Sequence, residues 1–148
     1  MIFHHIGLFV GDLSNGLSSL KKIIPIKQIS QIVIEDKLDV EIQFCKDSSG
    51  IVYELIAPKG LDSPVLNTLK TKNNILNHVA YIVKNIEDES EKLRKIGAIP
   101  ISEKKPAKVF NGALVSFFLT DLRFIIEIIE SSSTELSIYK KNIWNDLK

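Results

Sequence analysis

Two histidines and two glutamates are spaced in a way that could build one metal site. His78 follows His5 by 73 residues, and Glu127 follows Glu54 by the same 73 (78 − 5 and 127 − 54). Glu127 stands in an apolar run, residues 124–129, where a lone carboxylate is costly unless it is paired, protonated or metal-bound. Two imidazoles and two carboxylates suit Zn, Ni, Co, Mn or Fe. The set predicts one divalent cation with coordination positions left open for water or substrate oxygen.

The same offset relates the chain around these residues, which indicates a duplicated module. It places Val10 on Val83 and Leu20 on Leu93. A fixed spacing that links both the polar residues and their apolar surroundings is the mark of an internal repeat. We therefore interpret the chain as two copies of one β-α-β-β-β unit.

The periodicity of each copy predicts its elements. Residues 2–10 alternate as in a strand, and Asp12 is a suitable N-cap for a helix that runs to about Ile23. Further strands are predicted near residues 31–35, 40–45 and 51–55. The second copy predicts a strand at 77–83, a helix at 87–96, and strands near 99–102, 113–119 and 123–129. The predicted single domain, 1–148, comprises module one (2–57), a connector (58–76) with a short helix that begins at Pro64, module two (77–130) and a tail helix (134–148).

Strand alternation predicts which side chains share a face. His5 falls on one face of the first strand, and His4 on the other, aliphatic face, so His4 is not expected to be a ligand. Glu41 falls on one face with Gln43, opposite a face that holds Val40, Ile42 and Phe44. If that polar face lines the site, Glu41 reaches a substrate; the equal alternative is a solvated strand carboxylate.

Composition excludes several classes of protein. The formal net charge is +1, so no broad basic field is available for nucleic acid. The chain has no basic N-terminal leader, and no apolar run approaches the roughly 20 residues of a membrane helix. The single cysteine, Cys45, cannot form an intrachain disulfide and fits a reducing compartment. We expect a cytoplasmic protein without a nucleic-acid or membrane partner.

Four short motifs carry a resemblance to a known family. They are His5-Ile6-Gly7, Glu54-Leu55-Ile56-Ala57-Pro58, Asp62-Ser63-Pro64 and His78-Val79-Ala80. Through them, residues 2 to about 130 resemble the vicinal-oxygen-chelate superfamily, and within it the methylmalonyl-CoA epimerases. The resemblance implies an α+β fold in which two βαβββ modules form a cup-shaped, partly open mixed sheet, the glyoxalase-like fold. It also implies a homodimer and a metal held by His5, Glu54, His78 and Glu127.

The resemblance implies a metal-dependent enzyme with a small-molecule substrate. The lead hypothesis is an epimerase or isomerase that moves the α-proton of an acyl thioester, with CoA or another thiol as carrier. Glu127 and Glu41 are the candidate proton-transfer residues, Glu127 because the family uses this metal-bound carboxylate in proton transfer. A lactoylglutathione lyase of the glyoxalase I type is the second hypothesis, since Glu at the position of Glu54 is common in glyoxalase-like sites. A non-catalytic binding module of the same fold is the third.

Overall fold

The computed structural model describes residues 1–70, 74–132 and 143–147. Within these ranges the strands are β1 (Ile2–Val10), β2 (Ile26–Ser30), β3 (Val33–Glu35), β4 (Val40–Asp47), β5 (Val52–Pro58), β6 (Asn74–Val83), β7 (Ile99–Pro100), β8 (Lys105–Ala107), β9 (Ala113–Leu119), β10 (Ile125–Glu130) and β11 (Trp144–Asp146). The helices are α1 (Leu13–Ile23), α2 (Pro64–Leu69) and α3 (Ile86–Lys95), with 3₁₀ turns at Asp36–Leu38 and Lys108–Phe110. Parallel and antiparallel strand pairs occur together, which confirms the predicted α+β class.

The chain divides into two compact units by its internal contacts. Unit 1 combines Met1–His5 with Asn77–Lys141, and unit 2 combines Ile6–Leu76 with Asn142–Lys148. Strand β1 therefore gives its first residues to one unit and its remainder to the other. The division differs from the predicted modules at this point, because the five N-terminal residues group with module two.

Unit 2 builds its core between α1 and one face of its strands. The strands follow the order β11-β2-β4-β5-β1, with β3 against β4. Asp12 caps α1 by accepting a hydrogen bond from the Asn15 backbone N–H at 2.9 Å, as predicted. A side chain at Gly16 would bring its Cβ to 2.8 Å from Val10, so glycine lets the helix lie close on β1. The buried core is formed by Val10, Leu13, Leu20, Ile26, Cys45, Tyr53, Leu55 and Ala57.

Unit 1 repeats this plan around α3. Its strands follow the order β1-β6-β10-β9-β7, with β8 against β9. Asn85 caps α3 by accepting from the Asp88 backbone N–H at 2.9 Å, and the carboxylate of Glu130 accepts from the Ile86 backbone N–H at 2.9 Å. The core residues are Val83, Ile86, Leu93, Ala98, Phe118 and Ile128. In each unit, therefore, a helix covers one face of the sheet, and the core lies between the two.

Two predictions about elements were wrong. The strand predicted at 31–35 is shorter, since β3 covers only Val33–Glu35, and the strand before it, β2 (Ile26–Ser30), was not predicted. The predicted tail helix falls largely on residues 134–142 and 148, which lie outside the described residues, but Trp144–Asp146 form strand β11. This strand pairs antiparallel with β2, with Trp144 opposite Ser30, and Lys46 lies 4.1 Å from the centre of the Trp144 ring. At residues 144–146, backbone pairing with the edge strand β2 takes precedence over the helical spacing of the sequence.

Among the described helices none is long and apolar enough to cross a membrane.

Candidate metal centre

Two histidine side chains meet inside unit 1. His5 is carried by the first half of β1 and His78 by β6, and both are essentially fully buried. Their Nε2 atoms lie 3.1 Å apart, with the ring planes at 83°. The two imidazoles thus present the same nitrogen to one point.

The third side chain at this point is Glu127. Strand β10 runs parallel to β6 and places Glu127 beside Ala80, the residue two positions beyond His78 on the same face. Glu127 Oε2 lies 3.3 Å from Nε2 of His5 and 3.3 Å from Nε2 of His78. The apolar run that carries Glu127 therefore buries its carboxylate against two imidazoles.

The separations among these three atoms fit a shared cation. Bonds of about 2.1 Å to one metal ion place neighbouring ligand atoms about 3.0 Å apart at right angles and about 3.4 Å apart at tetrahedral angles. The observed values, 3.1 and 3.3 Å, lie within this interval. Glu127 Oε2 is buried and receives no well-aligned hydrogen bond from the residues that the structure describes. These side chains belong to a group that could hold a metal ion, which would satisfy the buried carboxylate oxygen.

Electrostatics favours the ionised form of Glu127. Burial raises the pKa of the carboxyl, and the neighbouring His5 and His78 rings lower it by more, so the pKa lies below its usual value. A carboxylate that is ionised at neutral pH can bind a cation or accept a proton from a substrate.

Aromatic rings that the sequence did not single out hold the two imidazoles. Phe110, at the end of the second 3₁₀ turn, is buried with its ring centre 5.9 Å from that of His5. Phe117, on β9 directly opposite Glu127, lies edge-on to His78 at 5.4 Å. Such contacts fix ring orientation. Only the alternation of β9 could have indicated Phe117, and Phe110 lies in a turn that periodicity does not reveal.

Glu54 lies on β5 in unit 2, where it is 4% exposed. Its partner across the parallel pair β1–β5 is Gly7, and its partner across the antiparallel pair β4–β5 is Phe44. Residues opposite one another in a ladder share a face, so Glu54, Gly7 and Phe44 lie on one side of the sheet. Gly7 shares a face of β1 with His5 by alternation.

Glu41 shares a face with Gln43, as predicted, but this is not the face that carries Glu54. Glu41 lies opposite Ala57, which belongs to the core covered by α1, whereas Glu54 lies opposite Phe44. Since alternate residues of β4 point to opposite faces, Glu41 and Glu54 lie on opposite sides of the sheet. The polar face of β4 is the face on the α1 side, so the support for Glu41 as a proton-transfer residue is lost.

Comparison with known proteins places the chain in a family. Residues 4–117 match the model of the Glyoxalase/Bleomycin resistance protein/Dioxygenase superfamily. The chain belongs to this superfamily, which confirms the predicted resemblance and the glyoxalase-like fold.

The individual relatives are more distant. The uncharacterized protein YqjC of Bacillus subtilis (strain 168) is 25% identical over 113 residues, which are 76% of this chain and 79% of YqjC. The crystal structure of hypothetical protein BH1468 from Bacillus halodurans C-125 matches with a TM-score of 0.71 and 22% identity, over 90% of this chain and 96% of that one. Methylmalonyl-CoA epimerase from Mycobacterium tuberculosis matches with a TM-score of 0.72 and 16% identity, over 88% of each chain. At these identities the structural matches show the fold.

Proposed function

We propose that the protein is a divalent-metal-dependent isomerase that moves the α-proton of an acyl thioester, as an epimerase does. The observation that carries the proposal is the convergence of three buried donor atoms, Nε2 of His5, Nε2 of His78 and Oε2 of Glu127, within 3.3 Å of one another. This arrangement combines a cation site with a carboxylate that can carry a proton. The fold shared with an epimerase named for a CoA thioester supports the choice of substrate class.

Glu54 is proposed as the fourth ligand. It is the repeat counterpart of Glu127, it is buried beside Gly7 and Phe44, and a cation would offset the cost of burying its carboxylate. His5, Glu54, His78 and Glu127 together offer the N and O donors that suit Co, Ni, Zn, Mn or Fe. When bound, such a cation supplies Lewis-acid stabilisation of the negative charge that develops on a substrate carbonyl oxygen.

Glu127 is the proposed proton carrier. A cation at this point would keep the carboxylate ionised, and an ionised carboxylate can accept an α-proton. The rings of His5 and His78, held by Phe110 and Phe117, fix its position and exclude water from the carboxylate. A positioned general base of this kind contributes about 10²–10⁴-fold to a rate.

Epimerisation needs a second carrier. The proton leaves one face of the α-carbon and another returns to the opposite face, so one carboxylate in a fixed position is not sufficient. With Glu41 on the α1 side of its sheet, Glu54 is the proposed second carrier. Exchange of the α-proton with solvent is therefore expected even where inversion is slow.

Because Glu41 lies on the opposite face of its sheet from Glu54, a reaction that needs only one proton carrier is the second candidate. Such a reaction is that of a glyoxalase I-type lyase. That reaction moves a proton between adjacent carbons of a hemithioacetal and can use one carboxylate for both transfers. Glu127 alone meets this need. A non-catalytic binding module, the third hypothesis, gives no reason for a buried carboxylate without an aligned hydrogen-bond donor at the centre of the site.

The test compares these candidates on one preparation. Protein loaded with Co²⁺ is incubated in D₂O with methylmalonyl-CoA, propionyl-CoA and acetoacetyl-CoA, and α-deuterium is measured by mass spectrometry. Methylglyoxal with glutathione is assayed in parallel by thioester absorbance. Deuterium incorporation that is lost in Glu127→Gln supports the epimerase; thioester formation without it supports the lyase. Absence of both, with Co²⁺ bound, would leave the binding module and refute the proposal.

The remaining features of the proposed enzyme follow from the resemblance. We propose a homodimer in the cytoplasm with a small-molecule substrate. Light scattering after size-exclusion chromatography would give twice the 16.7 kDa chain mass for the dimer, and the chain mass itself would contradict it.

A further inference from the structure

Each of the two candidate histidine ligands is contacted by the side chain of the residue before it. Nδ1 of His78 donates to the Asn77 side-chain oxygen at 2.9 Å. Nδ1 of His5 lies 2.7 Å from Nδ1 of His4. His4 and Asn77 are themselves 73 residues apart, so the supporting contact is repeated together with the ligand.

These contacts bear on which ring nitrogen carries hydrogen. A neutral imidazole has one N–H and one lone pair, and a metal ligand must offer the lone pair. An amide oxygen can only accept, so the contact with Asn77 places the hydrogen of His78 on Nδ1 and leaves Nε2 bare. Nε2 is the atom that lies 3.3 Å from Glu127.

The His4–His5 pair reaches the same result in another way. One hydrogen is shared between the two Nδ1 atoms, and a bare Nε2 on His5 requires that His5 donate and His4 accept. His4 is 2% exposed, and the Phe110 ring stands edge-on to it at 5.6 Å. These contacts hold the His4 ring against His5, although strand alternation directs the side chains of neighbouring residues to opposite faces.

We infer that His4 and Asn77 are positioning residues that hold His5 and His78 in the tautomer with Nε2 directed at the cation. The inference rests on the proposed metal site. Outer partners of ligand histidines generally control ring orientation and basicity, and their loss costs about 10–100-fold in metal affinity. The two positions use different chemistry for one task, since an imidazole stands where the second copy has an amide.

The experiment has two independent readouts. In metal-free protein, ¹⁵N-labelled histidine spectra report the tautomer of His5 and His78. In the same samples, competition with a chelator gives the Co²⁺ affinity. Asn77→Leu removes the acceptor, Asn77→Asp keeps it, and His4→Asn installs the acceptor of the second copy. Leu76→Ala, at an exposed neighbour on β6, is the matched control.

We expect wild type, Asn77→Asp, His4→Asn and Leu76→Ala to show Nδ1–H signals and Co²⁺ affinities within a few-fold of one another. Asn77→Leu is expected to lose the Nδ1–H signal of His78 and about 10–100-fold in affinity. Unchanged tautomer and affinity in folded Asn77→Leu would overturn the positioning role. Nδ1–H signals in a wild-type protein that binds no Co²⁺ would refute the metal site instead, so the two failures are distinguishable.

Discussion

Nε2 of His5 lies 3.1 Å from Nε2 of His78, although the two residues are 73 positions apart in the chain. Two bare imidazole nitrogens at this distance repel each other unless a hydrogen or a cation lies between them. Glu127 Oε2 lies 3.3 Å from each nitrogen, and its negative charge is stabilised by a positive charge nearby. A cation among the three atoms therefore explains the arrangement better than a hydrogen between the two rings. The contact between the histidines is therefore the basis for the first prediction.

Removal of one donor is expected to remove the metal. Wild-type protein purified without chelator should carry about one divalent ion per chain, and His5→Ala and Glu127→Ala should carry background amounts, measured by elemental analysis. Glu130→Ala is the matched control, because Glu130 lies on the same strand but accepts a hydrogen bond from the Ile86 backbone N–H at the start of α3. Metal retained equally by all four proteins would refute the site.

The contribution of Glu54 can be measured separately. Loss of an outer partner already costs about 10–100-fold in affinity, so loss of a direct ligand in Glu54→Leu should cost at least about 100-fold in Co²⁺ binding. Glu54→Gln keeps one oxygen donor, so its Co²⁺ affinity should lie between those of wild type and Glu54→Leu. Tyr53→Phe changes the neighbouring residue, which belongs to the core on the opposite face, and should bind as wild type. An unchanged affinity in Glu54→Leu would limit the ligand set to His5, His78 and Glu127.

The four candidate ligands could be found from the sequence because duplication preserved both residue type and spacing. The face of Glu41 could not, because both faces of β4 are buried. Phe44 on one face is 1% exposed and Cys45 on the other is 0% exposed. Where a strand is covered on both sides, polarity no longer distinguishes the two faces, and only the pairing register does.

The strand β8 was missed for a different reason, which its counterpart β3 in the first module shows. β3 and β8 are three residues long and share no residue types, yet each leads through a 3₁₀ turn to a residue with positive φ, Asp39 at 51° and Asn111 at 56°. Asp and Asn tolerate this conformation better than most residues. The repeat here is one of backbone conformation, with an offset of 72 (111 − 39), and a comparison of side-chain types does not detect it.

Glu41→Gln is expected to leave turnover within about twofold of wild type, because Glu41 lies on the α1 side of its sheet. Metal-saturated Glu127→Gln should lose about 100-fold or more, the usual contribution of a general base. Both are measured as initial rates with whichever substrate the wild type converts. A loss in Glu41→Gln as large as that in Glu127→Gln would show that Glu41 takes part in the reaction after all.

The turn that joins β4 to the Glu54 strand depends on Asp47. Its Oδ1 accepts from the Ser49 backbone N–H at 2.8 Å, the Ser49 hydroxyl at 2.7 Å and the Ile51 backbone N–H at 2.9 Å. Burial raises the pKa of Asp47, but these hydrogen bonds outweigh it, and the pKa lies below its usual 3.8. A carboxyl with a depressed folded-state pKa stabilises the fold above its unfolded pKa and loses that contribution as the pH falls through the folded value.

Asp47→Ala should therefore lower the free energy of unfolding by about 2 kcal/mol near neutral pH, since hydrogen bonds to a charged group are lost. Urea unfolding of metal-free protein measures this difference, which should shrink progressively as the pH falls below 3.8. Asp47→Asn keeps an oxygen acceptor without the charge, so it should be less destabilised than Asp47→Ala. Because neither Asn nor Ala titrates, the difference from wild type should shrink over the same pH range in both variants. A difference between wild type and Asp47→Ala that stays constant from neutral to acid pH would mean that the ionised form of Asp47 does not support the turn.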